Sequence, residues 1–205
     1  MKKSLGILGG TFNPIHEAHI AIANHALTAF ELDAVELIPC FQPPHRETPD
    51  ASPADRLIMV GLAIKNHPKL KVNDFEIQQK QISYTVNTLL MLHKKMPDSV
   101  LYYIVGADAF AQFDTWHQWK KIFSLAHLIV VSRHNKTIQM PTVVDTFLNE
   151  HNLKSQLHFL NINDIPVSAT QIRKAILLGE KNIAGLNQNV FNYIQEKKLY
   201  CENKK

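Results

Sequence analysis

The chain has 205 residues, 45% of them apolar and 20% charged, with a formal net charge of +4 and a pI near 9.0. That length supports a real hydrophobic core in one domain, and the composition excludes a disordered chain. Two cysteines, Cys40 and Cys201, exclude a disulfide framework, and no apolar run approaches the ~20 residues that cross a bilayer.

Lys and Arg are scattered rather than gathered into a stripe, so the positive charge suits a small anionic ligand better than a nucleic acid. Met1-Lys2-Lys3 followed by Leu5 to Leu8 superficially resembles a secretory leader. The apolar run is short and continues into Asn13-Pro14 instead of a small-residue cleavage site. A cytoplasmic protein with reduced thiols is expected.

The first strand candidate, 4–8, leads into Gly9-Gly10-Thr11-Phe12-Asn13-Pro14-Ile15-His16-Glu17-Ala18-His19 and then a helical pattern over 17–30. Glycine lets a backbone approach a ligand closely, and a helix N-terminus offers unpaired N–H groups with a positive dipole end. His16 and His19, three apart, would meet on one face of the helix start. Taken alone, they fit phosphate donors, metal ligands or surface histidines, although a third metal ligand is lacking nearby.

A strand at 34–39 precedes a proline-rich surface loop from Phe41 to Ser52. Ser52-Pro53 reads as an N-cap with proline at the first position of a helix over 53–66. A strand at 70–75 and a helix at 84–95 follow. The strand at 100–105 breaks at Gly106, with Asp108 just past it. Next come a helix at 117–125, a strand at 127–132, a helix at 143–152 and a strand at 157–162. Ser168 with Gln171 fits a capping box that opens a helix over 169–178 carrying Thr170 and Arg173, which Gly179 would close. A helix over 188–197 precedes a frayed tail.

Strands alternating with helices imply right-handed crossovers and an α/β fold, a doubly wound, mainly parallel sheet with helices on both faces. Ligands on such sheets bind beyond the C-terminal strand ends, at the point where strand order reverses. A single domain over 1–205 is expected, with 165–205 as a small helical C-terminal lobe.

Gly9 to His19, with Ser168, Thr170, Ile172 and Arg173, resembles the H-x-G-H and I-S-S-T-x-I-R signatures of the nucleotidyltransferase superfamily. Pro43-Pro44-His45-Arg46, Ser83-Tyr84-Thr85, Val105-Gly106-Ala107-Asp108 and Thr115-Trp116 are similar to the bacterial nicotinate-nucleotide adenylyltransferases. These matches run in the family's order from residue 6 to 173. Ala18 stands where the first signature has glycine, and Ala169 replaces the second Ser of the other. Asn13 and Asn87 stand where Asp is common, and Arg46 where Lys is common.

The resemblance implies a Rossmann-like nucleotidyltransferase fold and transfer of the adenylyl group of ATP to nicotinate mononucleotide, with Mg2+ bound through substrate phosphates rather than a protein cage. His16, His19 and Arg173 would act on the ATP phosphates, His19 nearer the α-phosphate and Arg173 at the β- and γ-phosphates. Gly9, Gly10, Thr11, Phe12, Gly106, Ser168 and Thr170 would line the ATP cleft. His45, Arg46, Thr85, Asp108 and Trp116 would receive the mononucleotide, with Trp116 stacked on the pyridine ring. A sister transferase acting on phosphopantetheine, or a non-catalytic nucleotide-binding relative, is the alternative.

Overall fold

The computed structural model describes residues 2–44, 47–133 and 138–201. Six strands, β1 (Ser4–Gly10), β2 (Ala34–Pro39), β3 (Leu70–Val72), β4 (Val100–Gly106), β5 (His127–Arg133) and β6 (Leu157–Ile162), form one sheet in the order β3-β2-β1-β4-β5-β6. Every neighbouring pair is parallel. Nine helices connect them among the described residues: α1 (Glu17–Ala29), α2 (Pro53–Ile64), α3 (Phe75–Gln79), α4 (Thr85–Lys95), α5 (Ala107–Phe110), α6 (Trp119–Ile122), α7 (Thr142–Glu150), α8 (Ala169–Leu177) and α9 (Gln188–Glu196). The expected doubly wound parallel architecture is therefore present, and strand order reverses between β1 and β4.

One face of the sheet packs against α1, α2, α8 and α9 through Ala23, Ala26, Met59, Val60, Ile172, Ile176, Val190 and Ile194. These residues share one core cluster with Leu8 and Leu37 of the central strands. The other face packs against α4 and α7 through Leu89, Leu92, Val144 and Leu148, around an aromatic group of Phe110, Phe113, Trp119 and Phe123. β1 passes through this core without room to spare. A Cβ at Gly6 would lie 2.8 Å from both Leu32 Cδ1 and Val35 Cγ2, so only glycine lets the crossover after α1 close on the strand.

Local chemistry explains where elements start, and where the expected ones fall short. Ser52 Oγ accepts from the Asp55 N–H (3.1 Å) with Pro53 first in α2, as its sequence predicts. The strand expected at 70–75 ends at Val72, because Asn73 Oδ1 accepts from the Phe75 N–H (3.0 Å) and turns the chain into α3. The helix expected over 117–125 contracts to α6, since Gln118 adopts a left-handed φ of 50° and Phe113–Thr115 forms a separate 3-10 turn. Ser168 Oγ accepts from the Gln171 N–H (3.2 Å), and its hydroxyl donates to Gln171 Oε1 (3.0 Å), so this cap closes side chain to side chain.

Gly185 ties the chain's late segment to the start of α1. Its carbonyl accepts from the Glu17 N–H (2.9 Å), its φ is +76°, and an added Cβ would lie 2.7 Å from Val167 Cγ2, next to the α8 cap. Gly185→Ala is expected to cost about 1–3 kcal/mol through backbone strain and overpacking. A thermal melt checks this as a lowered Tm.

Candidate active site

The turn after β1 is built from small residues and one inverted backbone. Phe12 has a φ of +48° and a buried ring, which covers Gly10 and meets the His19 ring edge-on at 5.0 Å. A Cβ at Gly10 would stand 3.0 Å from that ring. His16, in extended backbone, is the N-cap residue of α1. Its N–H donates to His19 Nδ1 (3.2 Å), while the His19 N–H donates to the His16 carbonyl (2.9 Å). The two rings lie 3.8 Å apart. Because Nδ1 accepts, His19 carries its proton on Nε2, the other nitrogen, and can donate with it. Burial, then the neighbouring His16 charge, pushes the His19 pKa well below 6.5, so the ring is neutral at pH 7. Ala18 directs its methyl into the core.

At the β4 end, Gly106 has open space where a side chain would be, so the strand end stays uncovered. Beside it lies a cavity of about 370 Å³ lined by Pro43, Pro44, Tyr84, Thr85, Asp108 and Trp116, with Ser83, Ala109, Gln112 and His117 completing the wall. The cavity thus unites three of the predicted substrate residues. His45 and Arg46 lie outside the described residues. Thr85 opens α4, and its hydroxyl donates to Tyr103 Oη (3.2 Å) on β4. Trp116 stands edge-on to Tyr103 at 6.0 Å, and its ring lines the cavity. The N-terminal turn of α4 contributes a positive dipole end on the same side.

The third predicted segment reaches the first. Arg173, on α8, donates from Nη1 to the Asn13 carbonyl (2.8 Å), across 160 residues. Its Nε stands 3.3 Å from Asp50 Oδ2, which also accepts from Asn13 Nδ2 (3.2 Å). Asn13 Oδ1 in turn accepts from the Tyr200 hydroxyl (2.8 Å) and the Ala51 N–H (3.3 Å). Thr170 is exposed in the first turn of α8. His16, His19 and Arg173 therefore border one turn, with a carboxylate against the arginine.

Several site residues carry no motif. His117 faces the motif residue Tyr84 across 4.6 Å at the cavity wall, and Asp50 and Tyr200 bracket Asn13. Arg56 is fully buried and bonds the turn and both ends of the proline-rich loop. It did leave a trace: positions 56, 59, 60 and 63 are the buried stripe of α2, and Arg56 is the charged member of it.

A family model described as cytidylyltransferase-like matches residues 7–175. Two relatives bear the name "probable nicotinate-nucleotide adenylyltransferase". One, from Coxiella burnetii (strain RSA 331 / Henzerling II), is 40% identical, covering 96% of this chain and 97% of its own. The other, from Hydrogenovibrio crunogenus, is 37% identical with the same coverage. The chain belongs to the nicotinate-nucleotide adenylyltransferase family. Its fold matches that of a Plasmodium falciparum nicotinic acid mononucleotide adenylyltransferase complexed with NaAD, with a TM-score of 0.76 at 18% identity, covering 99% of this chain and all of that one. In this chain the two signature segments meet at one strand end. Among the described residues, no group of three or more His, Cys, Asp or Glu could hold a metal, and no helix is long and apolar enough to cross a membrane.

A histidine whose folded pKa is depressed contributes stability that is present above its unfolded value and is lost as pH falls. Lowering the pH below about 6.5 is therefore expected to reduce Tm, with His19 contributing to the slope. His127 and His158 are shifted in the same direction by burial, so wild type is compared with His19→Gln. The variant should show a shallower decline of Tm between pH 8 and pH 5.

Proposed function

We propose that this chain transfers the adenylyl group of ATP to nicotinate mononucleotide, giving deamido-NAD and pyrophosphate. The observation that carries the reading is the juxtaposition of two unlike sites at one strand-order reversal. The turn bordered by His16, His19 and Arg173 is a polyanion site, and the Trp116 cavity beyond β4 is sized and walled for a flat ring. The names of the relatives support the same pair of substrates. A cytoplasmic location agrees with its two free cysteines.

In this reading Gly9, Gly10, Thr11 and Phe12 present backbone to ATP, together with Gly106, Ser168 and Thr170. His16 and His19 donate hydrogen bonds to its phosphates. The neutral His19 does so through Nε2–H and keeps that proton. Arg173 exchanges Asp50 for the β- and γ-phosphates. Trp116 stacks on the pyridine, Thr85 and the α4 N-terminus receive its carboxylate, and Asp108 takes a ribose hydroxyl. His45 and Arg46 bind the mononucleotide phosphate.

The 5′-phosphate oxygen of the mononucleotide attacks the α-phosphorus of ATP in line, and pyrophosphate leaves. That oxygen is ionised at neutral pH, so no general base is needed, and the residues serve to position and to stabilise charge. A helix N-terminus contributes about 0.3–1 kcal/mol, or ~2 when partly buried. Rate enhancement typically requires about 8–23 kcal/mol. Alignment of the two substrates and the charged donors must therefore supply most of it. Guanidinium and backbone N–H groups donate hydrogen bonds and offer Mg2+ no oxygen ligand, so Mg2+ would be held through the phosphates that His16, His19 and Arg173 hold, and there it would neutralise their charge.

Pyrophosphate release is measured with ATP and Mg2+ while nicotinate mononucleotide, nicotinamide mononucleotide and phosphopantetheine are offered in turn. Turnover is expected with the nicotinate form, well above the nicotinamide form. Turnover with phosphopantetheine alone, or ATP binding with no turnover, would discard the proposal. Trp116→Ala is expected to raise KM for the mononucleotide more than for ATP; equal effects would make the ring a packing residue only. Asp50→Asn removes a carboxylate that competes with phosphate for Arg173. Steady-state kinetics should show KM for ATP lowered by about two- to fivefold, the scale of a half-exposed ion pair.

A further inference from the structure

Arg56 is the largest fully buried side chain in the described structure, yet it carries a charge. Its Nη1 donates to the Thr11 carbonyl (2.8 Å), Nη2 to the Phe41 carbonyl (3.0 Å) and Nε to the Ala51 carbonyl (3.3 Å), and Nη1 also approaches Cys40 Sγ (3.9 Å). Among the described residues, no carboxylate stands within ion-pair distance of it. Burying a guanidinium against neutral acceptors costs more than packing an apolar side chain of the same volume there. Its distinctive property is geometric, because a planar fork of five donors in fixed directions can pin three backbone segments at once.

Those three segments separate the two substrates. Thr11 lies in the turn after β1, on the ATP side. Phe41 opens the loop whose Pro43 and Pro44 line the ring cavity, and Ala51 closes it beside Asp50. The clasp extends further: the Phe41 N–H donates to Ser83 Oγ (2.9 Å) and the Ser83 N–H to the Gln42 carbonyl (3.0 Å), joining the loop to the Ser83–Thr85 wall. Resting on the function proposed above, we propose that Arg56 is a positioning residue that holds the ATP turn and the mononucleotide wall at the separation needed for in-line transfer. It touches neither substrate. Lysine at this position keeps the charge but cannot span three carbonyls.

The two halves of deamido-NAD occupy both sites together, so its affinity reads their spacing, whereas each substrate alone reads one site. Titration calorimetry with a non-hydrolysable ATP analogue, nicotinate mononucleotide and deamido-NAD is run on wild type and on Arg56→Lys. The variant is expected to bind either single-site ligand as wild type does and deamido-NAD about tenfold more weakly, the penalty of mismatched linkage. Its kcat should fall by about 10- to 100-fold with little change in either KM, as misalignment of reacting atoms does. Equal weakening of all three ligands with a lowered Tm, or unchanged deamido-NAD affinity, would overturn the proposal. Arg56→Met keeps an apolar side chain of similar length in the same buried place and removes all three donors, so it serves if Arg56→Lys does not fold. It should give a selective loss for deamido-NAD at least as large, and the absence of that loss would equally overturn the proposal. Wild-type protein that binds neither half would remove the functional reading, and this proposal with it.

Discussion

Between β1 and β4 the crossover connections leave in opposite directions, and no helix can cover both strand ends there. In a parallel sheet that gap is unavoidable, and it opens at the carboxyl ends. The whole site is arranged around it. β1 delivers the glycine turn and the His16–His19 pair to one lip, β4 delivers Gly106 and Asp108 to the other, and α8 returns late in the chain to set Arg173 against the first. A crevice made by topology needs no lid to exist, but it has no walls of its own. The proline-rich loop and the α4 start supply them.

Polar side chains rather than apolar packing fix those walls. Asn13 is a four-way junction: its carbonyl accepts from Arg173, its Oδ1 from Tyr200 and Ala51, and its amide donates to Asp50. An aspartate at this position would face the Asp50 carboxylate as a like charge. An amide satisfies both neighbours instead. A half-buried set of connected hydrogen bonds of this type specifies one arrangement where apolar contact would tolerate several. Nearby, burial pushes the Cys40 thiol pKa up and the Glu76 carboxyl pKa up as well, and the Thr88 hydroxyl donates to Glu76 (2.6 Å). Ionisable groups are thus drawn into the body of the protein close to the crevice.

Much of this was legible in the residues. The central strands were readable because parallel strands buried on both faces form continuous Val, Ile and Leu runs, as in Leu128–Val131. The caps at Ser52 and Ser168 follow from short-range hydrogen-bond chemistry, and both are present. Elements governed by single side chains were not legible. The Asn73 turn that makes α3, and the left-handed Gln118 that shortens α6, depend on one hydrogen bond or one dihedral, which periodicity does not register. Arg56 and Asp50 escaped for another reason. Their significance lies in contacts to Thr11 and Arg173, which are distant in sequence and in no motif with them.

Tyr200 donates to Asn13 from 187 positions further on, and Gly185 holds the first N–H of α1. A chain emerging from the ribosome folds its earlier segments first, at about 5–20 residues per second. The glycine turn is made well before the groups that lock it, Gly185 and Tyr200. During synthesis the growing polypeptide therefore carries an unfinished crevice until Gly185 and Tyr200 reach the turn.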